Sequence, residues 1–185
     1  NTIMNSDSEN KKRIANKVFI QYLTEVLQFK KSFKFPFDSL PTIARLTSPD
    51  NSFRIFNWLL KRNDGFYEYY AIVHYYNKES KSYEIIQLID NSANIQKPEQ
   101  EELDAKNWYG GIYYQIAYIR KNERKFYTML SWDGNDGYST KKIIDIMYFA
   151  GESKIRFGLP VFKNNQQETQ KRVILEYDSK TAVSV

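Results

Sequence analysis

The sequence predicts a mainly β, α+β chain. An N-terminal amphipathic helix packs on an antiparallel, largely up-and-down sheet of about eight strands, strongly curved or closed into a barrel. Three observations carry this expectation. Fifteen Tyr, twelve Phe and three Trp stand against seven Gly, and aromatic side chains suit the pleated, half-buried surface of a strand. From Phe53 onward, short apolar runs alternate with polar turn clusters, which is the mark of sequential hairpins. Ahead of them the apolar residues recur at helical spacing.

The elements follow in order. Ser6 and Glu9 have the spacing of a capping box, with Ser6 as N-cap. In the helix that follows, Ala15, Val18, Phe19, Tyr22, Val26 and Phe29 gather on one side, opposite Arg13, Lys17, Gln21, Thr24 and Gln28. The apolar side is expected to cover the sheet. Pro36, Pro41 and Pro49 then forbid a long element. Phe33, Phe35 and Phe37 read as an extended arm, Leu40 to Leu46 as a short helical turn, and Ser48-Pro49-Asp50-Asn51 as a tight turn.

The expected strands are Phe53 to Leu60, Phe66 to Tyr76, Tyr83 to Ile89, Trp108 to Ile119, Lys125 to Trp132, Lys141 to Phe149, Ile155 to Phe162 and Lys171 to Tyr177. Asn63-Asp64-Gly65 and Asp133-Gly134-Asn135-Asp136-Gly137 supply hairpin turns. Lys141 to Phe149 also fits a helix, but its length between turn signals favours a strand. Pro98 opens a short acidic helix through Glu99, Glu101 and Glu102. The organisation is a helix and connecting arm over 1–47 and a β domain over 48–185, together one structural unit.

Alternation adds a constraint. Between Tyr69 and Tyr76 one strand face carries Tyr69, Ala71, Val73 and Tyr75, and the other Tyr70, Ile72, His74 and Tyr76. Both faces are apolar, so this strand needs a covering layer on each side. Ile112 to Ile119 reads the same way, whereas Lys171 to Tyr177 alternates more cleanly.

Composition excludes several classes. The 185 residues hold no cysteine, which removes disulfides, thiolate metal sites and a cysteine nucleophile. No apolar run reaches the roughly 18 residues of a membrane-spanning helix. The net charge is +5, but Lys and Arg are interleaved with Asp and Glu, and the longest basic run is Lys11-Lys12-Arg13. Nucleic-acid binders concentrate such charge on one face, so no nucleic-acid partner is expected. Asn1 in place of Met points to a processed or trimmed chain, from which any signal peptide is already gone.

Catalytic signals are sparse. His74 is the only histidine and lacks the motif of a hydrolase triad, so a packed core histidine is the plainer explanation. The Asp133 to Gly137 segment fails the calcium-loop template, with Tyr138 at the sixth position and Ile144 at the twelfth. Trp108-Tyr109-Gly110-Gly111 lacks the Gly-Lys-Ser of a phosphate loop and reads as a bulge or a close backbone approach. Asp90, Asp133, Asp136 and Asp145 are the carboxylates from which a glycoside-cleaving pair could come, Asp133 and Asp136 being the best placed. No cofactor or metal motif is present. The aromatic residues Tyr70, Tyr76, Tyr113, Trp108 and Trp132, with His74, are the candidate binding residues, because an amphipathic ring suits a surface that stays partly wet.

Several phrases carry a resemblance: Ser48-Pro49-Asp50-Asn51-Ser52-Phe53-Arg54-Ile55-Phe56-Asn57-Trp58, Trp108-Tyr109-Gly110, Leu130-Ser131-Trp132-Asp133-Gly134-Asn135, Lys141-Lys142-Ile143-Ile144-Asp145 and Lys171-Arg172-Val173-Ile174-Leu175-Glu176-Tyr177. From about Phe33 to Tyr177 the chain resembles a family of exported Gram-negative bacterial proteins, periplasmic or associated with the outer membrane. No activity is attached to that family, so no residue inherits a role. The resemblance implies a periplasmic or cell-surface setting and a longer C-terminus than Val185.

The expected function is a non-catalytic envelope module that docks on other envelope proteins, such as an outer-membrane complex, through its aromatic sheet face or its helix. The alternatives are a β-barrel that binds a small apolar ligand or a glycan, and an envelope hydrolase that uses carboxylates.

Overall fold

A computed structural model describes residues 6–151 and 153–184. Helix α1 spans Glu9–Leu27, and a 3-10 turn follows at Lys30–Lys34. Strands β1 (Ala44–Thr47), β2 (Phe53–Lys61), β3 (Tyr67–Asn77) and β4 (Ser82–Ile89) form a four-stranded antiparallel meander in that order. A second sheet holds β5 (Leu103–Asp104), β6 (Ile112–Lys121), β7 (Arg124–Asp133), β8 (Ser139–Phe149) and β9 (Ile155–Phe157) in the order β5-β9-β8-β7-β6. β10 (Phe162–Lys163) and β11 (Thr169–Gln170) make a small ribbon, and β12 (Arg172–Asp178) returns along β8. The architecture is therefore mainly antiparallel β with one N-terminal helix.

The sheets do not close into a barrel. They stack face to face, and the aromatic side chains fill the space between them. Phe53, Ile55, Tyr69, Val73 and Tyr75 of the first sheet meet Tyr113, Tyr127, Met129, Met147 and Phe157 of the second. A second cluster lies on the other side of the first sheet, where Leu23 and Leu27 of α1 cover Phe56, Trp58 and Ile72. The molecule has three layers: helix, sheet, sheet. This resolves the double-sided strand. Tyr69, Ala71, Val73 and Tyr75 face the second sheet, while Tyr70 and Ile72 lie under the helix. Asn57, 1% exposed, ties the sheets together: its Oδ1 accepts from Tyr113 N at 2.6 Å and its Nδ2 donates to Tyr70 O at 2.8 Å.

The helix docks by a different face from the one its apolar stripe suggests. Lys12, Asn16, Leu23 and Leu27 are buried, whereas Val18, Tyr22, Val26 and Phe29 are 46%, 62%, 43% and 69% exposed. At 3.6 residues per turn the buried line is rotated from the predicted stripe by about a quarter turn. Two polar anchors select that rotation. Trp58 Nε1 donates to Asn16 Oδ1 at 2.7 Å, and Lys12 Nζ donates to Lys61 O at 3.0 Å. The N-cap is Ser8, whose hydroxyl accepts from Lys11 N, rather than Ser6. Glu9 instead accepts from Asn63 N in the β2–β3 turn.

Other departures are local. Ala44–Thr47 is a strand rather than a helical turn, because it pairs with Arg54 to Asn57 of β2. Pro98 leads into a turn closed by Gln100 N on Lys97 O, not a helix. In β6 the register shifts between Tyr113 and Gln115, and this bulge turns Tyr114, Gln115, Ala117 and Ile119 outward. The predicted two-sided coverage fails there, since Tyr114, Gln115, Ala117 and Ile119 are exposed. The run Ile155 to Phe162 breaks after Phe157 at Gly158, whose φ of +93° is left-handed.

Candidate functional site

At one end of the sandwich the chain crosses from β4 to the second sheet, and the crossing builds a cleft. Asp90 follows β4 and forms a parallel bridge with Trp108, in which Trp108 N donates to Ile89 O at 3.0 Å and Asn91 N to Trp108 O at 2.9 Å. The Asp90 carboxylate is fixed locally. Oδ1 accepts from Ser92 N and Ser92 Oγ at 3.1 and 2.6 Å, and Oδ2 from Tyr69 N at 3.2 Å. The Tyr69 hydroxyl donates to Asp133 Oδ1 at 2.7 Å and accepts from Gly134 N at 2.8 Å. One tyrosine thus holds an aspartate at each of its two ends, its backbone on Asp90 and its ring on Asp133.

Two glycines make this geometry possible. A Cβ at Gly110 would lie 2.6 Å from Asp90 Cγ, and one at Gly134 would lie 2.4 Å from the Tyr67 ring. Real contacts do not reach either distance, so a side chain at these positions would displace Asp90 or Tyr67. The resulting cleft has a volume of about 410 Å³ and is lined by Tyr67, Tyr69, Asp90, Tyr109, Asp133 and Asn135, with Asn91, Asn94, Arg62 and Lys141 around them. Trp132 stands beside it, edge-on to Tyr67 with ring centroids 5.9 Å apart.

The electrostatics favour hydrogen-bond donation from the rings. Burial, helped by the Asp133 charge, pushes the Tyr69 hydroxyl far above its ordinary pKa, and the same causes push Tyr109 up to about 12. Both stay protonated at neutral pH. At the cleft's edge burial acts to raise Glu68, but hydrogen bonds from Arg13 and Tyr70 outweigh it and hold Glu68 below the usual carboxylate range. The lining holds neither histidine nor cysteine among the described residues. The arrangement offers fixed acceptors, aromatic faces and the protonated Tyr109 hydroxyl as a donor, the Tyr69 proton being held on Asp133.

The six predicted binding residues do not meet in one place. Trp132 adjoins the cleft. Trp108 and Tyr113 lie in the inner core, where Trp108 Nε1 donates to Tyr113 OH at 2.6 Å. Tyr70 stacks on Trp58 under the helix, with centroids 5.8 Å apart. His74 is 0% exposed, and neither of its ring nitrogens has a partner among the described residues. Tyr76 is on open surface against Tyr83.

Of the four candidate carboxylates, Asp90 and Asp133 come together, while the others have structural work. Asp136 accepts from Tyr138 N and Ser139 N within its turn, and Asp145 is buried on Arg172 at 2.6 Å. Sequence reasoning did not single out Tyr67, Tyr69 or Tyr109 as site residues. The available signal was an aromatic residue set beside a glycine in both Tyr109-Gly110 and Trp132-Asp133-Gly134. Comparison with family models, with curated proteins and with solved structures finds no match to this chain.

Proposed function

We propose that the chain is a non-catalytic binding module whose cleft holds a hydroxyl-rich ligand of the glycan type. The supporting observation is the convergence of three tyrosine rings, two aspartates and the amides of Asn91, Asn94 and Asn135 on one hollow. A sugar presents apolar C–H faces that suit aromatic rings, and hydroxyls that suit side-chain amides and carboxylates. The polar lining disfavours a purely apolar ligand. Asp90 and Asp133 are each held by hydrogen bonds from backbone N–H and hydroxyl groups, which fixes them as acceptors at the cleft wall.

Calorimetric titration with neutral mono- and disaccharides tests this reading. A saturable heat is expected, weakened about tenfold or more (about 1.4 kcal/mol) by Tyr67→Ala and by Asp133→Asn, with no new reducing ends released. Binding that is absent, or unchanged in both variants, would overturn it.

A second reading is docking on other proteins of a bacterial envelope. It is supported by the exposed stripe Val18, Tyr22 and Val26 on α1, continued by Phe29 just beyond it, and the envelope setting rests on the resemblance to exported proteins. Pull-downs from envelope fractions should lose the same specific partner with Val18→Lys and Tyr22→Lys. Identical recovery by wild type and variants would sink this reading.

A further inference from the structure

We infer that the cleft is the middle of one continuous groove that takes an extended, neutral-to-cationic oligosaccharide rather than a single sugar. The inference rests on the glycan reading above. The central hollow shares Glu68, Tyr69 and Asp90 with a slot of about 200 Å³ that runs to Gln87, Leu88 and Ile89. β4 is the last strand of the first sheet, and its end is paired through Ile89 N on Ala105 O and Trp108 N on Ile89 O, so the slot runs back over the adjoining ends of β3 and β4. On the other side the hollow shares Asn91 and Asn94 with a third depression of about 200 Å³ that reaches Asp104, Asn107 and Arg156. The three hollows therefore follow one path around the Asp90–Asn94 turn. A ligand confined to the centre would leave two flanking hollows with the same amide and carboxylate chemistry unused.

The charge along this path opposes that of the whole molecule. The chain carries +5, yet the groove is lined by six carboxylates (Glu68, Asp90, Asp133, Glu101, Glu102 and Asp104) against the three cations Arg62, Lys141 and Arg156. Pairing offsets part of both signs: Arg156 lies 3.8 Å from Glu102 and 3.4 Å from Asp104, Arg62 pairs with Asp64 and Glu68 with Arg13, while Lys141 Nζ donates to the neutral Asn135 Oδ1 at 2.8 Å. The negative excess is carried by Asp90, Asp133 and Glu101. The field in the groove therefore repels polyanions, including acidic glycans and nucleic acids. It admits neutral sugars and favours those with free amines.

The test is calorimetry on the full chain with β-1,4-linked N-acetylglucosamine oligomers from dimer to hexamer, their de-acetylated counterparts, and oligomers of a uronic acid. Affinity should rise at least about tenfold from dimer to pentamer. Gln87→Ala and Asn107→Ala, at the two ends, should remove part of that gain and leave the dimer unchanged. Uronic-acid oligomers should bind about tenfold more weakly or worse, with the gap narrowing at high salt. Affinity that is flat with length, while Tyr67→Ala still abolishes dimer binding, would overturn the groove and spare the central site. Failure of every sugar would overturn both. Tighter binding of a lysine-rich peptide than of any sugar would make the groove a peptide site and would also overturn the inference.

Discussion

Replacing His74 with Leu should remove an acid-sensitive weakness from the fold. His74 is fully buried between Phe33 and Tyr83, with ring centroids at 5.2 and 5.4 Å. Burial, reinforced by the nearby Arg54 charge, pulls its pKa from 6.5 down to about 4. The folded protein keeps the ring neutral, whereas the unfolded chain takes up a proton below pH 6.5. Between pH 6.5 and 4 the unfolded state therefore binds more protons, and stability falls as pH falls. A difference of about 2.5 pH units at 1.36 kcal/mol each amounts to roughly 3 kcal/mol, fully lost below pH 4 and absent above 6.5. For a chain of this length that is about 6–12 °C in Tm. His74→Leu also removes two buried nitrogens without partners, so it should not destabilise the protein at pH 7. Urea unfolding of both proteins from pH 7.5 to 4 isolates the effect, because all other titrations are shared. The stability difference between them should shift by about 3 kcal/mol toward the variant as pH drops. A difference that stays constant with pH would refute the reasoning.

Three further outcomes follow from the packing. Asn57→Leu leaves the Tyr113 amide between the sheets without its acceptor, at about 1–3 kcal/mol, read by urea unfolding; a loss under about 0.5 kcal/mol would show that the sheets do not depend on this link. Arg172→Met leaves the buried Asp145 carboxylate without its cation, held only by backbone N–H such as that of Ile146, and should cost about 3–5 kcal/mol, while the double variant with Asp145→Leu recovers most of it. Asn122 and Glu123 both hold left-handed φ, +48° and +62°, in the two-residue turn between β6 and β7. Glu123→Gly should therefore raise stability by up to about 1 kcal/mol, seen as a higher Tm.

Much of the fold was legible because strand alternation and turn chemistry are local. The hairpins around Asn63 to Gly65 and Lys121 to Arg124 pair as their turns dictate. Tyr69 to Tyr76 announced two covering layers before either was known, and both exist. The helix shows where local reading stops. Its apolar stripe is stronger in the sequence than the Lys12, Asn16, Leu23 and Leu27 line, but of the stripe Phe19 packs on Trp58, whereas the latter line supplies the polar partners of Trp58 Nε1 and Lys61 O. Partner geometry, invisible in one segment, chose the face.

Closure was undecided for a similar reason, since a meander reads alike in a barrel and in a sandwich until the edge strands are placed. The cleft was legible only in pieces. The sequence offers Asp90 and Asp133 among four candidate carboxylates, and Trp108 to Gly111 reads as a bulge or a close backbone approach; at Gly110 the backbone closes on Asp90. Nothing in the sequence, however, joins Tyr67, Asp90, Tyr109 and Asp133, which lie on four separate stretches of chain. The aromatic residues chosen for their amphipathic rings went mostly into the core, because ring burial there outweighs the benefit of a wet hydroxyl.

Under the proposed function, ligand binding resides in the cleft at the end of the two sheets rather than on the helix. Backbone amide shifts of ¹⁵N-labelled protein, followed during titration with an N-acetylglucosamine pentamer, test it most directly. Perturbations should concentrate at Asp90 to Asn94, Tyr109 to Gly111 and Asp133 to Asn135, the three segments that frame the cleft. Shifts confined to residues 14–29, in the helix and just beyond it, or none at saturating sugar, would rule out the cleft as the binding site.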